Sequence, residues 1–233
     1  MTDSAKLNDK ALHLILGWSA FALIAVEFLA IPMRTRVLFP EWNGTIRTFV
    51  WWAGLQFCLW VIVPALLLRR SRSLPFSVAP PGTPKGLGLY GGLFALMIPA
   101  IFLAGQRPDF LGTYPLFHPA PPLEWSGRLL LTFWLCYATI LFSTEFFFRG
   151  VLLFSLESRL GLAAVGVSVL PYCLIHVHKP LPEAFGSIVA GFVLGYLALT
   201  TRSIGGGVLV HCAVAFSMDT LALVRNGLWP TTF

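Results

Sequence analysis

The sequence predicts an all-α protein, a polytopic integral membrane helical bundle with about seven transmembrane helices in a range of six to eight. Two observations predict this class. Hydrophobic residues make up 57% of the 233 residues and charged residues only 11%, whereas ordinary soluble domains carry about 25% charged residues. Several apolar runs also approach the ~20 residues that a helix needs to cross a bilayer. We therefore expect a single membrane domain over 1–233 and no soluble module.

Each expected span is an apolar run bounded by polar or proline-rich residues. The first run, 11–33, is longer than the roughly 7–15 residues of a signal-peptide core, so we expect it to be retained. The stretches 69–85 and 105–125 contain proline clusters, which stop helices, and we expect loops there. Residues 148–160 either extend the fourth span or lie at the membrane interface. The expected spans are 12–33, 48–68, 86–104, 128–147, 161–178, 184–200 and 204–225.

The net charge of +6 comes from basic residues that lie mainly between the expected spans. Anionic headgroups and topology signals account for basic residues in such places. No basic stripe interleaved with aromatic residues stands outside the spans, so we expect no nucleic-acid partner. The loop with Arg69, Arg70, Arg72 and Lys85 is the most basic, which predicts a cytoplasmic N-terminus in a plasma-membrane protein. The four cysteines lie in apolar runs without a CxxC pair, and we expect no disulfide.

Several ionisable residues fall inside the expected spans. A charge at bilayer depth costs at least ~2.5–3.5 kcal/mol and usually faces the interior of the bundle. Each of these residues taken alone has a structural interpretation, as one half of a buried ion pair or as a hydrogen-bonded histidine. They are Glu27, Glu145, Arg149, His176, His211 and Asp219.

Glu145 and Arg149 lie in the stretch STEFFFRG, four residues apart. On a helix this spacing places both on one face, within reach of an ion pair. The pair is consistent with a purely structural role and with an arginine that keeps a reactive carboxylate ionised. His176 and His178, two residues apart, point to different sides of a helix, which argues against a two-histidine metal site in that segment.

His211 is followed eight residues later by Asp219 on nearly the same helical face. This face could orient a water molecule or pair with another helix. The carboxylate, the arginine and the histidines recur in three separate spans, so a bundle could bring them to one cavity. A carboxylate and a histidine can activate water as a general base, and a second histidine can donate to an oxyanion. The combination indicates peptide hydrolysis within a membrane.

Three ordered motifs resemble those of the CPBP intramembrane proteases. This family includes the type II CAAX prenyl endopeptidases and Abi-like bacteriocin-processing and immunity proteins. Its EExxxR motif appears here as TEFFFRG at 144–150, its F/YxxxH motif as YCLIH at 172–176, and its HxxxN motif as HCAVA at 211–215. Three ordered motifs within membrane spans are more specific than any one of them. The resemblance covers 128–220, and the membrane helices and loops of 1–127 carry no motif.

The resemblance implies an intramembrane endopeptidase and assigns roles to the matching residues. Glu145 with His176 activates the water, and His211 stabilises the oxyanion. Arg149 holds Glu145 charged and in place, while Tyr172 is an accessory residue. The implied partners are membrane lipid and a peptide or lipidated protein substrate, such as a prenylated CAAX-type C-terminus or a leader peptide.

Two positions depart from the family pattern. Thr144 replaces the leading glutamate that the family uses for water activation, and Ala215 replaces the final asparagine, a donor on the oxyanion side. If Thr144 replaces the base, either Glu145 takes that role or the protein is an inactive relative. Asp219, one turn beyond Ala215, is a candidate to replace the asparagine in part.

An inactive relative would act as a membrane binding, immunity or scaffold protein. A small transporter is a third reading, suggested by Glu27 and Asp219 inside spans, but the sequence lacks the inverted repeat that is common in transporters.

The expectation for cofactors is that none is bound. If a metal were present, zinc held by His176, His211 and Glu145 would leave one coordination position open. We expect these three side chains to lie within about one bridging water of a common point, and His178 to point elsewhere. The oligomeric state has no signal in the sequence.

Overall fold

The computed structural model describes residues 9–69, 76–80 and 84–232. The regular structure of this part is helical, with an isolated bridge between Ser77 and Ser203, and the predicted all-α class is confirmed. The α-helices are α1 (Asp9–Leu29), α2 (Pro32–Leu38), α3 (Arg47–Phe57), α4 (Val63–Arg69), α5 (Pro84–Ala104), α6 (Pro108–Thr113), α7 (Gly127–Glu145), α8 (Leu153–Leu160), α9 (Ala163–Leu174), α10 (Leu181–Thr201) and α11 (Gly205–Arg225). A 3-10 turn spans Pro40–Trp42, and two π-helical segments span Cys58–Ile62 and Phe146–Leu152.

Six helical stretches of the described chain are long and apolar enough to cross a membrane, and the protein is a multi-pass integral membrane protein. The six stretches are Asp9–Leu29, Arg47–Arg69, Gly86–Ala104, Gly127–Leu160, Leu181–Thr201 and Gly205–Arg225. Their number lies within the predicted range. Lys6, Arg70 and Arg72, which carry part of the predicted orientation, lie outside the described residues.

The expected fifth span, 161–178, was wrong in extent. Its helix, α9, has 12 residues and is about 18 Å long, which is shorter than the ~30 Å hydrocarbon core. Residues 175–178 form a turn, and Lys179-Pro180 separates this turn from α10. Composition was misleading because Ile175 and Val177 prolong the apolar run into the turn. His176 therefore lies in a turn rather than on a spanning helix.

Of the two alternatives for 148–160, extension of the fourth span is the one observed, because a continuous helical stretch runs over Gly127–Leu160. Ser126 caps its start, where the side-chain oxygen accepts a hydrogen bond from the Leu129 amide at 3.3 Å. Gly161, with a positive φ of 55°, ends it. The π segment Phe146–Leu152 interrupts the α-helical pattern directly after Glu145. Such π segments frequently occur at functional sites.

The two π segments of the chain pack against each other. Trp60 of the first stacks on Phe147 of the second, with ring centroids 4.9 Å apart, and meets Phe148 edge-on at 5.4 Å. All three rings are buried. The N-terminal spans thereby form one wall around the segment that follows Glu145.

The glycines at the start of α11 allow three neighbours to approach its backbone. A Cβ on Gly205 would lie 2.3 Å from the Pro80 nitrogen, and one on Gly206 would lie 2.2 Å from the Tyr90 ring. At Gly207 a Cβ would lie 3.0 Å from Oε2 of Glu145. The three glycines let α11 pack closely against 76–80, α5 and α7, which positions His211 two turns later in the same helix.

Candidate active site

Glu145 is the centre of the candidate site and has no exposed surface. It is the last residue of α7, where the π segment begins. Its Oε1 lies 2.8 Å from Nδ1 of His211 on α11 and 3.2 Å from Nη1 of Arg149. One carboxylate oxygen therefore contacts Arg149, the predicted ion-pair partner, and His211 of the third motif. The other oxygen, Oε2, has no hydrogen-bond partner among the described residues.

Arg149 is 3% exposed and lies one turn after Glu145. Its guanidinium carbon sits 3.6 Å from the centroid of the Tyr172 ring, which is a cation–π arrangement. The face of a buried tyrosine on α9 thus covers the guanidinium of Arg149. This contact gives Tyr172 of the second motif a structural role that spacing alone did not indicate.

His176 joins the site through Tyr172. Its Nδ1 lies 2.9 Å from the Tyr172 carbonyl oxygen, and its ring centroid lies 4.6 Å from the Tyr172 ring. His176 is also close enough to Glu145 and His211 for electrostatic interaction with both. His178 turns away, as expected, and its Nε2 lies 3.1 Å from Oε1 of Glu27.

The hydrogen bonds determine which ring nitrogen carries the proton in each neutral histidine. A carbonyl or carboxylate oxygen can only accept, so the facing Nδ1 of His176 and of His211 donates. In both rings Nε2 then keeps its lone pair and can accept a proton. The side chain of His211 is 18% exposed, in contrast to the fully buried carboxylate that it contacts.

Thr144 belongs to a separate neutral network. Its hydroxyl donates to the Ile140 carbonyl at 2.9 Å and accepts from Nε2 of Gln56 at 3.1 Å. Gln56 also donates to the Ile140 carbonyl at 2.9 Å and accepts from Trp52 at 2.7 Å. Gln56 is 1% exposed, and its side chain bonds the hydroxyl of Thr144, the residue that replaces the family's leading glutamate. Sequence reasoning missed Gln56, although a glutamine inside the apolar run of 48–68 was a visible signal.

Ala215 and Asp219 do not contribute polar groups to the Glu145 side of the site. Ala215 is 4% exposed and packs in an apolar cluster with Phe133 and Tyr137. Asp219 has no exposed surface, and its Oδ1 accepts a hydrogen bond from the Leu116 amide at 3.3 Å. Asp219 therefore ties the 105–126 segment to α11.

Tyr90 on α5 is a further residue beside the site that the motifs did not indicate. Its ring is 4% exposed and packs against Gly206, next to the glycine that faces Glu145. The glycine run 205–207 allows this close packing. The partner of that packing could not be read from the sequence, because a tyrosine near the start of an apolar span has no distinguishing context.

The metal-ligand geometry of the site is limited to one direct pair. Among the described residues, no three His, Cys, Asp or Glu side chains come together in a way that could hold a metal ion. Glu145 and His211 are in direct contact, whereas His176 bonds to a backbone carbonyl. The described arrangement does not fit the three-ligand zinc site considered above.

Arg149 variants test whether the buried carboxylate depends on its partner. We expect Arg149→Ala to reduce the yield of monodisperse protein, because removing one partner of a buried pair typically costs ~3–5 kcal/mol. Glu145→Gln combined with Arg149→Met should recover much of that yield, since neither remaining group is charged. Size-exclusion chromatography in detergent measures the outcome. The same yield for Arg149→Ala and wild type would contradict a stabilising role for this pair.

Part of the second half of the chain matches a known protein family. Residues 125–217 match the family model of type II CAAX prenyl endopeptidase Rce1-like proteins. The match includes Glu145, Arg149, His176 and His211. Searches of the curated proteins and of the solved structures gave no matching protein. The recognition of the CPBP intramembrane protease family from the three motifs is therefore confirmed, over residues 125–217 of the chain.

Proposed function

We propose that the protein is an intramembrane endopeptidase that hydrolyses peptide bonds of membrane-associated polypeptides. The observation that carries the proposal is the 2.8 Å contact between Glu145 and His211 inside the Rce1-like region. A buried carboxylate that orients a partly exposed imidazole is a recurrent arrangement for proton transfer in hydrolases.

In the proposed reaction, Nε2 of His211 takes a proton from water while the water oxygen bonds to the carbonyl carbon of the substrate. The resulting imidazolium can donate from Nε2 to the oxyanion of the tetrahedral intermediate. As the carbon–nitrogen bond breaks, the same proton passes to the leaving nitrogen. His211 returns to its neutral form, and the products are a carboxylic acid and an amine.

Glu145 is assigned a positioning role in this scheme. Its carboxylate is fully buried, whereas the side chain of His211 keeps 18% of its surface exposed. The contact with water is therefore assigned to His211, and Glu145 fixes the Nδ1–H tautomer and stabilises the imidazolium. Arg149 keeps Glu145 ionised and in place. His176, with a free Nε2 lone pair, is proposed as a second acceptor that orients the water.

The proposed substrates are membrane-associated polypeptides, either lipidated at a CAAX-type C-terminus or carrying a leader peptide. Both would present a peptide bond close to the bilayer, together with membrane lipid as the surrounding partner. We further propose that the protein resides in the plasma membrane with its N-terminus in the cytoplasm. The basic loop after the second span supports this orientation.

Substitution of His211 tests the proposed chemistry. His211→Gln should reduce cleavage by about 10²–10⁴-fold, the usual contribution of a general base, because an amide side chain cannot take the proton. Cleavage of lipidated and leader peptides by the protein in lipid vesicles is the measurement. His178→Gln is the matched control, since His178 pairs with Glu27 outside the site, and it should cleave at the wild-type rate. Wild-type cleavage by His211→Gln would refute the mechanism.

A second candidate function is binding without cleavage, as in an immunity or scaffold protein. The observations that favour it are the neutral hydrogen-bonded network around Thr144 and the apolar packing of Ala215. Both positions lack the polar group that the family pattern supplies, so the protein could keep the fold and the cavity without the reaction.

Restoring the family residues separates these two functions. If the protein only binds, Thr144→Glu with Ala215→Asn should create cleavage that the natural chain lacks. If the protein is an enzyme through His211 and Glu145, the natural chain should already cleave, and the double change should not raise the rate. The same peptide assay decides the question, with Thr139→Ser as a control, because Thr139 bonds only its own helix backbone. Equal and measurable cleavage by the natural and restored proteins would exclude binding as the sole function.

A further inference from the structure

A second polar cluster lies next to the turn that carries His176, and the proposed mechanism does not use it. The Tyr114 hydroxyl lies 2.7 and 2.8 Å from the two carboxylate oxygens of Glu183. Nζ of Lys179 lies 3.1 Å from the same hydroxyl. Since a lysine ammonium can only donate, the chain of hydrogen bonds runs from Lys179 through Tyr114 to Glu183.

These three residues come from two parts of the chain that are far apart in sequence. Tyr114 follows α6 in the 105–126 segment, whereas Lys179 and Glu183 flank the start of α10. Tyr114 is 1% exposed, and it packs with Phe110 and with Ala222 of α11. The tyrosine thus connects the helix that carries His211 to the connection between α9 and α10.

The same connection contains His176. The backbone amide of Lys179 donates to the His176 carbonyl at 3.0 Å, so the two residues share one turn. Nζ of Lys179 lies 4.9 Å from the Tyr114 ring centroid and 4.0 Å from Oε1 of Glu183. The contacts of Lys179 with the ring and the hydroxyl of Tyr114 limit how far this turn can move relative to Tyr114.

The protonation states and charges of the three groups favour the contacts among Tyr114, Lys179 and Glu183. Burial raises the pKa of the Tyr114 phenol well above its usual range, so the hydroxyl keeps its proton. Burial lowers the pKa of the Lys179 ammonium, and the neighbouring carboxylate of Glu183 opposes that change. The lysine depends on its two partners because it is only 19% exposed to water.

We infer that Tyr114, Lys179 and Glu183 form a positioning network for the proposed hydrolysis. This network holds the His176 imidazole at a fixed position relative to His211. Tyr114 is fixed to α11 by its packing on Ala222 and by Asn226, whose Nδ2 donates to the Tyr114 carbonyl at 3.4 Å. The network therefore transmits the position of the His211 helix to the turn of His176. This inference rests on the proposed function for its catalytic consequence, but its structural consequence can be measured without any cleavage.

The test is Tyr114→Phe, which removes the hydroxyl and keeps the ring that packs on Phe110 and Ala222. Thr113→Val is the matched control, because it removes a neighbouring hydroxyl that bonds only the Asp109 carbonyl. The first measurement is the rate at which diethyl pyrocarbonate modifies each histidine, read by mass spectrometry. We expect faster modification of His176 in Tyr114→Phe and an unchanged rate in Thr113→Val.

His13 of α1 provides an internal reference for this measurement, since its Nδ1 bonds the Asp9 carbonyl of its own helix and it lies outside the turn that carries His176. Its modification rate should be the same in all variants. If Tyr114→Phe yields too little protein, Lys179→Met tests the same network from the other side, and Lys179→Arg should restore the wild-type rate at His176. A wild-type modification rate of His176 in both Tyr114→Phe and Lys179→Met would overturn the inference.

The second measurement is the kinetics of peptide cleavage. Tyr114→Phe should lower kcat by about 10- to 100-fold, the effect expected when a catalytic group is displaced by about 1 Å, with a smaller change in KM. Absence of cleavage by the wild-type protein would refute the proposed function. The histidine-modification rates would then still test whether the network holds the turn of His176. Wild-type kcat together with faster modification of His176 would show that the network does not position a catalytic group, and would overturn the inference.

Discussion

The structure around the candidate site depends on one constraint, the burial of the Glu145 carboxylate without exposed surface. An isolated ionised carboxylate in a low-dielectric interior is too costly to persist, so its charge needs close partners. Arg149 supplies the opposite charge from the next turn, and His211 supplies a hydrogen bond from another helix. Tyr172 in turn covers the guanidinium. Each of the three family motifs therefore contributes a residue to the contacts that stabilise one buried carboxylate and its arginine partner.

The spans that carry no motif also serve this constraint. Trp60 packs on the π segment that follows Glu145, and Gln56 satisfies the hydroxyl of Thr144 beside it. Tyr90 packs against the glycine-rich start of the helix that carries His211. The N-terminal spans thus form the outer wall of a polar site whose reactive groups all come from the second half of the chain.

Much of this architecture can be predicted from the amino-acid sequence and the physical chemistry of the bilayer. Long apolar runs predict spanning helices because the bilayer requires internal backbone hydrogen bonds, and the four-residue spacing of Glu145 and Arg149 predicts their ion pair. The end of α9 was not predicted, because Ile175 and Val177 prolong the apolar run as far as Lys179-Pro180, with His176 and His178 as the polar interruptions. The contacts of Gln56 and Tyr114 depend on which helices become neighbours, and pairing between distant segments leaves no local pattern in a single sequence.

The most direct test of the central claim is the state of the His211 ring. Nitrogen NMR of histidine-labelled protein in lipid nanodiscs, with His211→Gln to assign the signal, reports which ring nitrogen carries the proton. The account predicts a protonated, hydrogen-bonded Nδ1 on His211, and a shift of that signal when Glu145→Gln is combined with Arg149→Met. A proton on Nε2 with no response to the double change would contradict it, because Glu145 would then neither bind nor orient His211.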